Sequence, residues 1–175
     1  LLLSFFALCV VSCGKADKYT QFPMDYSADF TVPSTVLVGV DFLNLPFLYS
    51  PPIETRTTAN LEAYGTRLDL VEAVHLQTLV LEVLSPMSGN FDFLESVEVF
   101  VSAPEREEML LASRREVPTS VRSIELVPEA IDVLPYLRQE QITLRTSVVV
   151  RGNVREEMQL RATSRFLVDA KLLDL

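Results

Sequence analysis

The sequence predicts an all-β protein, an immunoglobulin-like antiparallel β-sandwich with one or two short helical turns. Short segments alternate apolar and polar side chains with a period of two, and turn-forming residues separate them. No long amphipathic helix and no strand–helix–strand spacing appears, and Gly occurs only 5 times. A doubly wound sheet and a glycine-rich phosphate loop are therefore not expected.

Taken in order, Val36, Val38, Val40 and Phe42 alternate with Leu37, Gly39 and Asp41, and Pro33 before them marks a strand entry or an edge. Pro46 and Pro51-Pro52 bracket a loop, and the Thr-rich stretch 55–63 reads as a strand. Thr66-Arg67-Leu68-Asp69 has capping-box spacing, which predicts one or two helical turns ending near Ala73. A strand follows over 74–84, with Leu79, Leu81 and Val83 on one face. Residues 85–90 are turn chemistry, and Phe91-Asp92-Phe93-Leu94 is a short turn expected to plug one end of the core. Over 96–103 the residues Val97, Val99, Val101 and Ala103 point inward; 107–115 is the next arm and 122–127 a further strand. Asp132 caps a single turn through Leu137, where Pro135 is tolerated because first-turn amides lack helical partners.

Two strands close the chain, over 141–151 and 157–172. Ile142, Leu144, Thr146, Val148 and Val150 share one face of the first. Met158, Leu160, Ala162, Phe166, Val168 and Ala170 share one face of the second, with Ser164 the polar exception. A hairpin turning near Gly152-Asn153-Val154-Arg155 sets Ile142 opposite Phe166, Val148 opposite Leu160 and Val150 opposite Met158. It gathers Arg145, Arg161 and Arg165 on the outer face, with Arg151 nearer the turn. These four are the candidate partner-binding residues, a basic stripe that would dock an acidic partner. The alternative is that Glu82 and Glu98 on neighbouring strands neutralise them as surface ion pairs.

The start of the chain carries a different signal. Residues 1–11 are apolar apart from Ser4. That is too short to span a bilayer, which takes about 20 residues, and right for the core of a signal peptide. Ser12 supplies a small residue and Cys13 follows it. Val10-Val11-Ser12-Cys13 resembles a bacterial lipobox, which implies diacylglycerol on the Cys13 thiol, cleavage before it and acylation of the new amine. The alternatives are a secretory signal peptide with an incidental Cys, or a piece of a buried helix. The chain opens at Leu1 with no Met and no basic segment, so its natural start is expected upstream.

The lipobox reading divides the chain into a signal peptide (1–12), a lipidated Cys with a polar tether (13–27) and the sandwich domain (28–175). Tyr19, Phe22 and Tyr26 are expected to dock the end of the tether. Gly14, where an Asp would favour retention in the inner membrane of enteric-type bacteria, leans towards the outer membrane. The implied partner is the membrane, through lipid, since two or more acyl chains anchor stably.

Charge and cysteines exclude other classes. Residues 1–100 hold four basic and twelve acidic groups, residues 101–175 eleven and twelve, within a net charge of −9. Such a chain is repelled by phosphate backbones, so nucleic acid is not an expected partner. Cys9 falls in the signal peptide and Cys13 takes lipid, which leaves no disulfide and no thiolate metal site. No metal or other cofactor is expected.

Asp92-Phe93-Leu94-Glu95-Ser96-Val97-Glu98-Val99-Phe100-Val101-Ser102, Thr66-Arg67-Leu68-Asp69-Leu70-Val71-Glu72 and Phe166-Leu167-Val168-Asp169-Ala170 together resemble a group of uncharacterised lipoproteins of the Bacteroidota type. The likeness runs from about Ala59 onward and implies a lipobox signal peptide and a β-sandwich, without an activity. Val38-Gly39-Val40 with Asn44 and Pro46 is similar to the late-embryogenesis-abundant type of β-sandwich.

Catalytic chemistry finds little to build on. His75 is the one histidine, and no Gly-x-Ser-x-Gly elbow accompanies it. The pairs Glu107-Glu108 and Glu156-Glu157 sit in turn-like sequence, where adjacent residues point apart. There is no Asp-rich loop for calcium, and no Trp for stacking sugars; Tyr49, Tyr64 and Tyr136 are the loop aromatics. The expectation is a lipid-anchored, non-enzymatic envelope protein that binds or scaffolds another envelope protein. A carrier of an apolar ligand between the sheets is the alternative, and a hydrolase using His75 the least supported.

Overall fold

The computed structural model describes residues 20–34, 61–139 and 142–171. Among the described residues seven strands form one antiparallel sheet: β1 (Gln21–Val32), β2 (Val71–Ser85), β3 (Leu94–Ala103), β4 (Arg106–Arg114), β5 (Ser123–Pro128), β6 (Thr143–Val150) and β7 (Met158–Ala170). Their order is β1-β7-β2-β5-β4-β3-β6. The sheet curls into the all-β antiparallel sandwich that the periodicity predicts. Val32, Leu81, Phe93, Val148 and Leu160, from five strands or the turns beside them, converge on one apolar void with Phe91. That void measures about 10 Å³, room for no more than a water-sized probe.

Which side chains face inward follows the sequence closely. Leu79, Leu81 and Val83 on β2 and Val97, Val99 and Val101 on β3 are buried, and Phe91 and Phe93 plug the end of the core. On β7 Met158, Leu160, Ala162, Ser164, Val168 and Ala170 are buried, while Phe166 is half-buried, edge-on to Tyr26 at 5.9 Å. The N-cap of the turn α1 (Leu134–Leu137) is Val133 rather than the expected Asp132, whose Oδ1, one residue earlier, accepts from Leu134 N–H at 3.0 Å and from Val74 N–H at 2.9 Å. One carboxylate thus ties the turn to β2.

Four further expectations change. Residues 21–27, read as the end of the tether, are strand: Phe22, Met24, Phe30 and Val32 go to the core while Asp25, Ser27, Asp29 and Thr31 face out. The stretch 66–69 makes no capping box. The Thr66 hydroxyl donates to the Lys171 carbonyl, Asp69 pairs with Arg67, and a single 3-10 turn (Leu68–Leu70) leads into β2. Residues 61–63 are helical; the rest of 55–63, and the strand expected over 36–42, lie outside the described residues.

The fourth change is the largest. β7 does not pair with β6. It lies between β1 and β2, while β6 pairs with β3 at the other end of the sheet, with four strands between β6 and β7. The expected oppositions of Ile142 with Phe166, Val148 with Leu160 and Val150 with Met158 do not form. The charges fit the observed pairing: the hairpin would gather three arginines on one face, and like charges across strands are unfavourable. Beside β1, Arg165 stands opposite Asp25 and Arg161 opposite Asp29, and β2 sets Glu82 opposite Arg161 from the other side.

Candidate functional site

The four candidate arginines therefore do not form one stripe. Arg161 and Arg165, on the outer face of β7, each grip an aspartate of β1 side-on. Arg161 Nε and Nη2 meet the Asp29 oxygens at 2.7 and 2.8 Å, and Arg165 meets those of Asp25 at the same distances. Hydrogen bonding from each arginine holds its aspartate below the usual carboxylate range, with slight burial opposing and charge attraction adding. Both arginines are raised in return, chiefly by the same bonds. Glu82 adds attraction at Arg161, in part the neutralisation the sequence allows, although the principal partners, Asp25 and Asp29, are on β1, whose first part (21–27) the sequence reading places in the tether.

Arg151 has another task. Its Nε and Nη2 donate to the Leu94 carbonyl at 3.1 and 2.6 Å, and Nη2 also reaches the Val117 carbonyl. It is a staple between the start of β3 and the turn after β4.

Arg145 is the one candidate in a surface arrangement of mixed chemistry. β3 turns Phe100 outward, with Leu110 of β4 opposite it on one side and Arg145 of β6 on the other. The guanidinium lies 4.2 Å from the Phe100 ring centroid, and Glu108 fixes it side-on at 2.8 and 2.6 Å. The Arg145 hydrogen bonds hold the Glu108 carboxyl below its ordinary range, and Arg145 is raised, first by that bond, with Glu98 contributing attraction. Val149, two positions past Ser147 on the same outer face of β6, is 48% exposed. An aromatic ring, an oriented guanidinium and flanking aliphatics are what protein interfaces concentrate at their centres.

Sequence reasoning missed three residues here. Phe100 reads as one more apolar residue in β3, although its outward register was available from Val99 and Val101. Arg122 is half-buried and donates through Nη1 to the carbonyls of Pro86, Met87 and Gly89 at 2.8, 2.6 and 2.6 Å, and through Nη2 to Val83 and Leu84 at 2.7 and 3.4 Å. Arg138 donates to the Val71 carbonyl at 2.8 Å. The turn that Arg122 grips has no space for another side chain: a Cβ on Gly89 would lie 3.1 Å from both the Pro86 carbonyl oxygen and Val83 Cγ1. No sequence signal marks an arginine that binds carbonyls.

Several of the remaining candidates have partners within the fold. His75 is exposed, and its Nδ1 lies 2.9 Å from the Ile131 carbonyl; a carbonyl only accepts, so Nδ1 donates and docks the loop before α1. Glu107 and Glu108 diverge, one offering its backbone carbonyl to the buried Tyr136 hydroxyl and the other its carboxylate to Arg145. Glu156 accepts from the Ser88 hydroxyl at 2.8 Å. Tyr64 stacks on Phe22 at 4.2 Å. Among the described residues no three His, Cys, Asp or Glu side chains gather as a metal site would need, and no helix is long and apolar enough to cross a membrane. Cys13 and Tyr49 lie outside the described residues. No protein-family model matches the chain, and no curated protein matches it either.

Proposed function

We propose that this chain is a lipid-anchored envelope protein, held by acyl groups on Cys13 at the outer membrane, whose sandwich domain binds another envelope protein and carries out no reaction. The observation that carries the binding half is the row Leu110–Phe100–Arg145 on the outer face of β4, β3 and β6. Its ring and guanidinium are already ordered by Glu108, so less side-chain entropy is lost on docking. The lipobox Val10-Val11-Ser12-Cys13 supports the anchor. An apolar carrier needs a cavity of several hundred Å³, and the void at the aromatic end is about 10 Å³.

Two measurements test this reading. Cys13→Ser should abolish incorporation of labelled fatty acid; a labelled, detergent-partitioning mutant removes the anchor. In crosslinking of the lipoprotein within its own envelope, Phe100→Ser with Arg145→Ser should lose a crosslinked species that Arg161→Ser with Arg165→Ser retains. Equal recovery from both pairs removes the docking surface.

A further inference from the structure

We propose that the end of the sandwich where β1 begins rests against the leaflet that holds Cys13, with Tyr64 and Leu68 in its headgroup layer. The turns at the opposite end, around Met87, then point away. The inference rests on the lipid anchor proposed above and adds to it a membrane-contacting surface.

The length of chain between anchor and domain carries it. Thr20 is fixed: its carbonyl accepts from Ala170 N–H at 3.1 Å and its hydroxyl donates to Asp169 at 2.9 Å. Gln21 is already in register opposite Asp169, so the tether cannot lengthen by peeling off strand without breaking the ladder. Seven residue steps separate Cys13 from Thr20, a reach of at most about 25 Å. β7, which runs the length of the domain, has 13 residues, or about 40 Å. A tether shorter than the domain forbids the far end from sitting on the leaflet.

What surrounds the entry point suits a lipid surface. Tyr64 lies flat on Phe22 with its hydroxyl donating to the Pro23 carbonyl, and is 44% exposed. Leu68 is 42% exposed on the 3-10 turn, and Leu70 of that turn accepts from Lys171 N–H beside Thr20. Tyrosine, apolar in body and polar at the tip, is enriched at membrane interfaces. Among the described cations here, Arg67 and Lys171 are paired with Asp69 and Glu72 and Arg138 donates to the Val71 carbonyl, so contact owes more to apolar side chains than to charge. The flank offered by a domain lying flat on its β1-β7-β2 face is a charged ladder of Asp25, Asp29, Arg161, Arg165 and Glu82, which would lose hydration against lipid.

The mature lipoprotein, its Cys13 thiol consumed by lipid, allows one fluorophore at a time through Leu68→Cys or Met87→Cys. Met87 is 85% exposed and tolerates a label; Asp69→Cys, on the same turn as Leu68, serves if Leu68→Cys melts early. Each labelled protein goes into phosphatidylethanolamine–phosphatidylglycerol vesicles carrying a headgroup nitroxide. The label at 68 should be quenched several-fold more than that at 87. Equal quenching, stronger quenching at 87, or none at either site on an acylated protein overturns the orientation and leaves the anchor standing. Mass spectrometry of the N-terminus reads the anchor separately, and an unacylated Cys13 removes both.

Discussion

Arginines on the sides of this sandwich and arginines at its ends have different jobs. On the sides, Arg145, Arg161 and Arg165 meet carboxylates in open, bidentate pairs. Around the ends, Arg122, Arg138 and Arg151 meet backbone carbonyls of strands and turns. A surface pair exchanges water for a carboxylate and gains little. A guanidinium among half-buried carbonyls gives several acceptors one charged donor, and its removal takes that donor from all of them together. The number of ion pairs is therefore a poor guide to which arginines hold the fold.

The sharpest way to break this comparison is Arg122→Ala. Its loss should cost about 2–3 kcal/mol in urea unfolding, because several carbonyls lose a charged donor together; an unchanged midpoint would make the end arginines no different from the side ones. Phe166→Ala should cost less than a full core truncation, about 1–2 kcal/mol, because the ring is half-buried between β1 and β2 rather than enclosed. Arg161→Gln with Arg165→Gln should barely move the midpoint, and raising salt should shift the parent protein equally little.

The smallest effect is in pH. Asp25, Asp29 and Glu108 are held below their ordinary values of 3.8, 3.8 and 4.5 in the folded protein. As pH falls through those ordinary values the unfolded chain takes up protons first, so the contribution is complete above them and disappears as the folded carboxyls protonate. The urea midpoint should decline below about pH 4, and Asp25→Asn with Asp29→Asn should flatten that limb. An identical acid limb in the double mutant would mean the side pairs are immaterial even there.

The facing pattern of β2, β3, β6 and β7 was legible because inward and outward positions depend on a period of two, whoever the neighbour is. Pairing was not, because it depends on which strands meet, and the turn-like Gly152-Asn153 suggested the nearest strand in sequence. A better signal lay in the charges: Asp25 and Asp29 are spaced as Arg161 and Arg165 are, which fits an antiparallel pair. The outward Asp, Ser and Thr of β1 disguised it as a tether although Phe22, Met24, Phe30 and Val32 alternate through it. Of the candidate site, Arg145 was legible as a surface cation, while Phe100 became visible only once its face was fixed. Arg122 was hidden, since carbonyl acceptors exist at every residue and mark nothing.

β1 has only β7 as a strand partner among the described residues, and Gln21 meets Asp169 across nearly the whole chain. Contacts of such sequence separation form late, since the loop between them must close first. Among the described strands, none pairs with β1 until residues 158–170 have been made. The β1–β7 seam therefore closes late, after the other described strands can already have paired with one another.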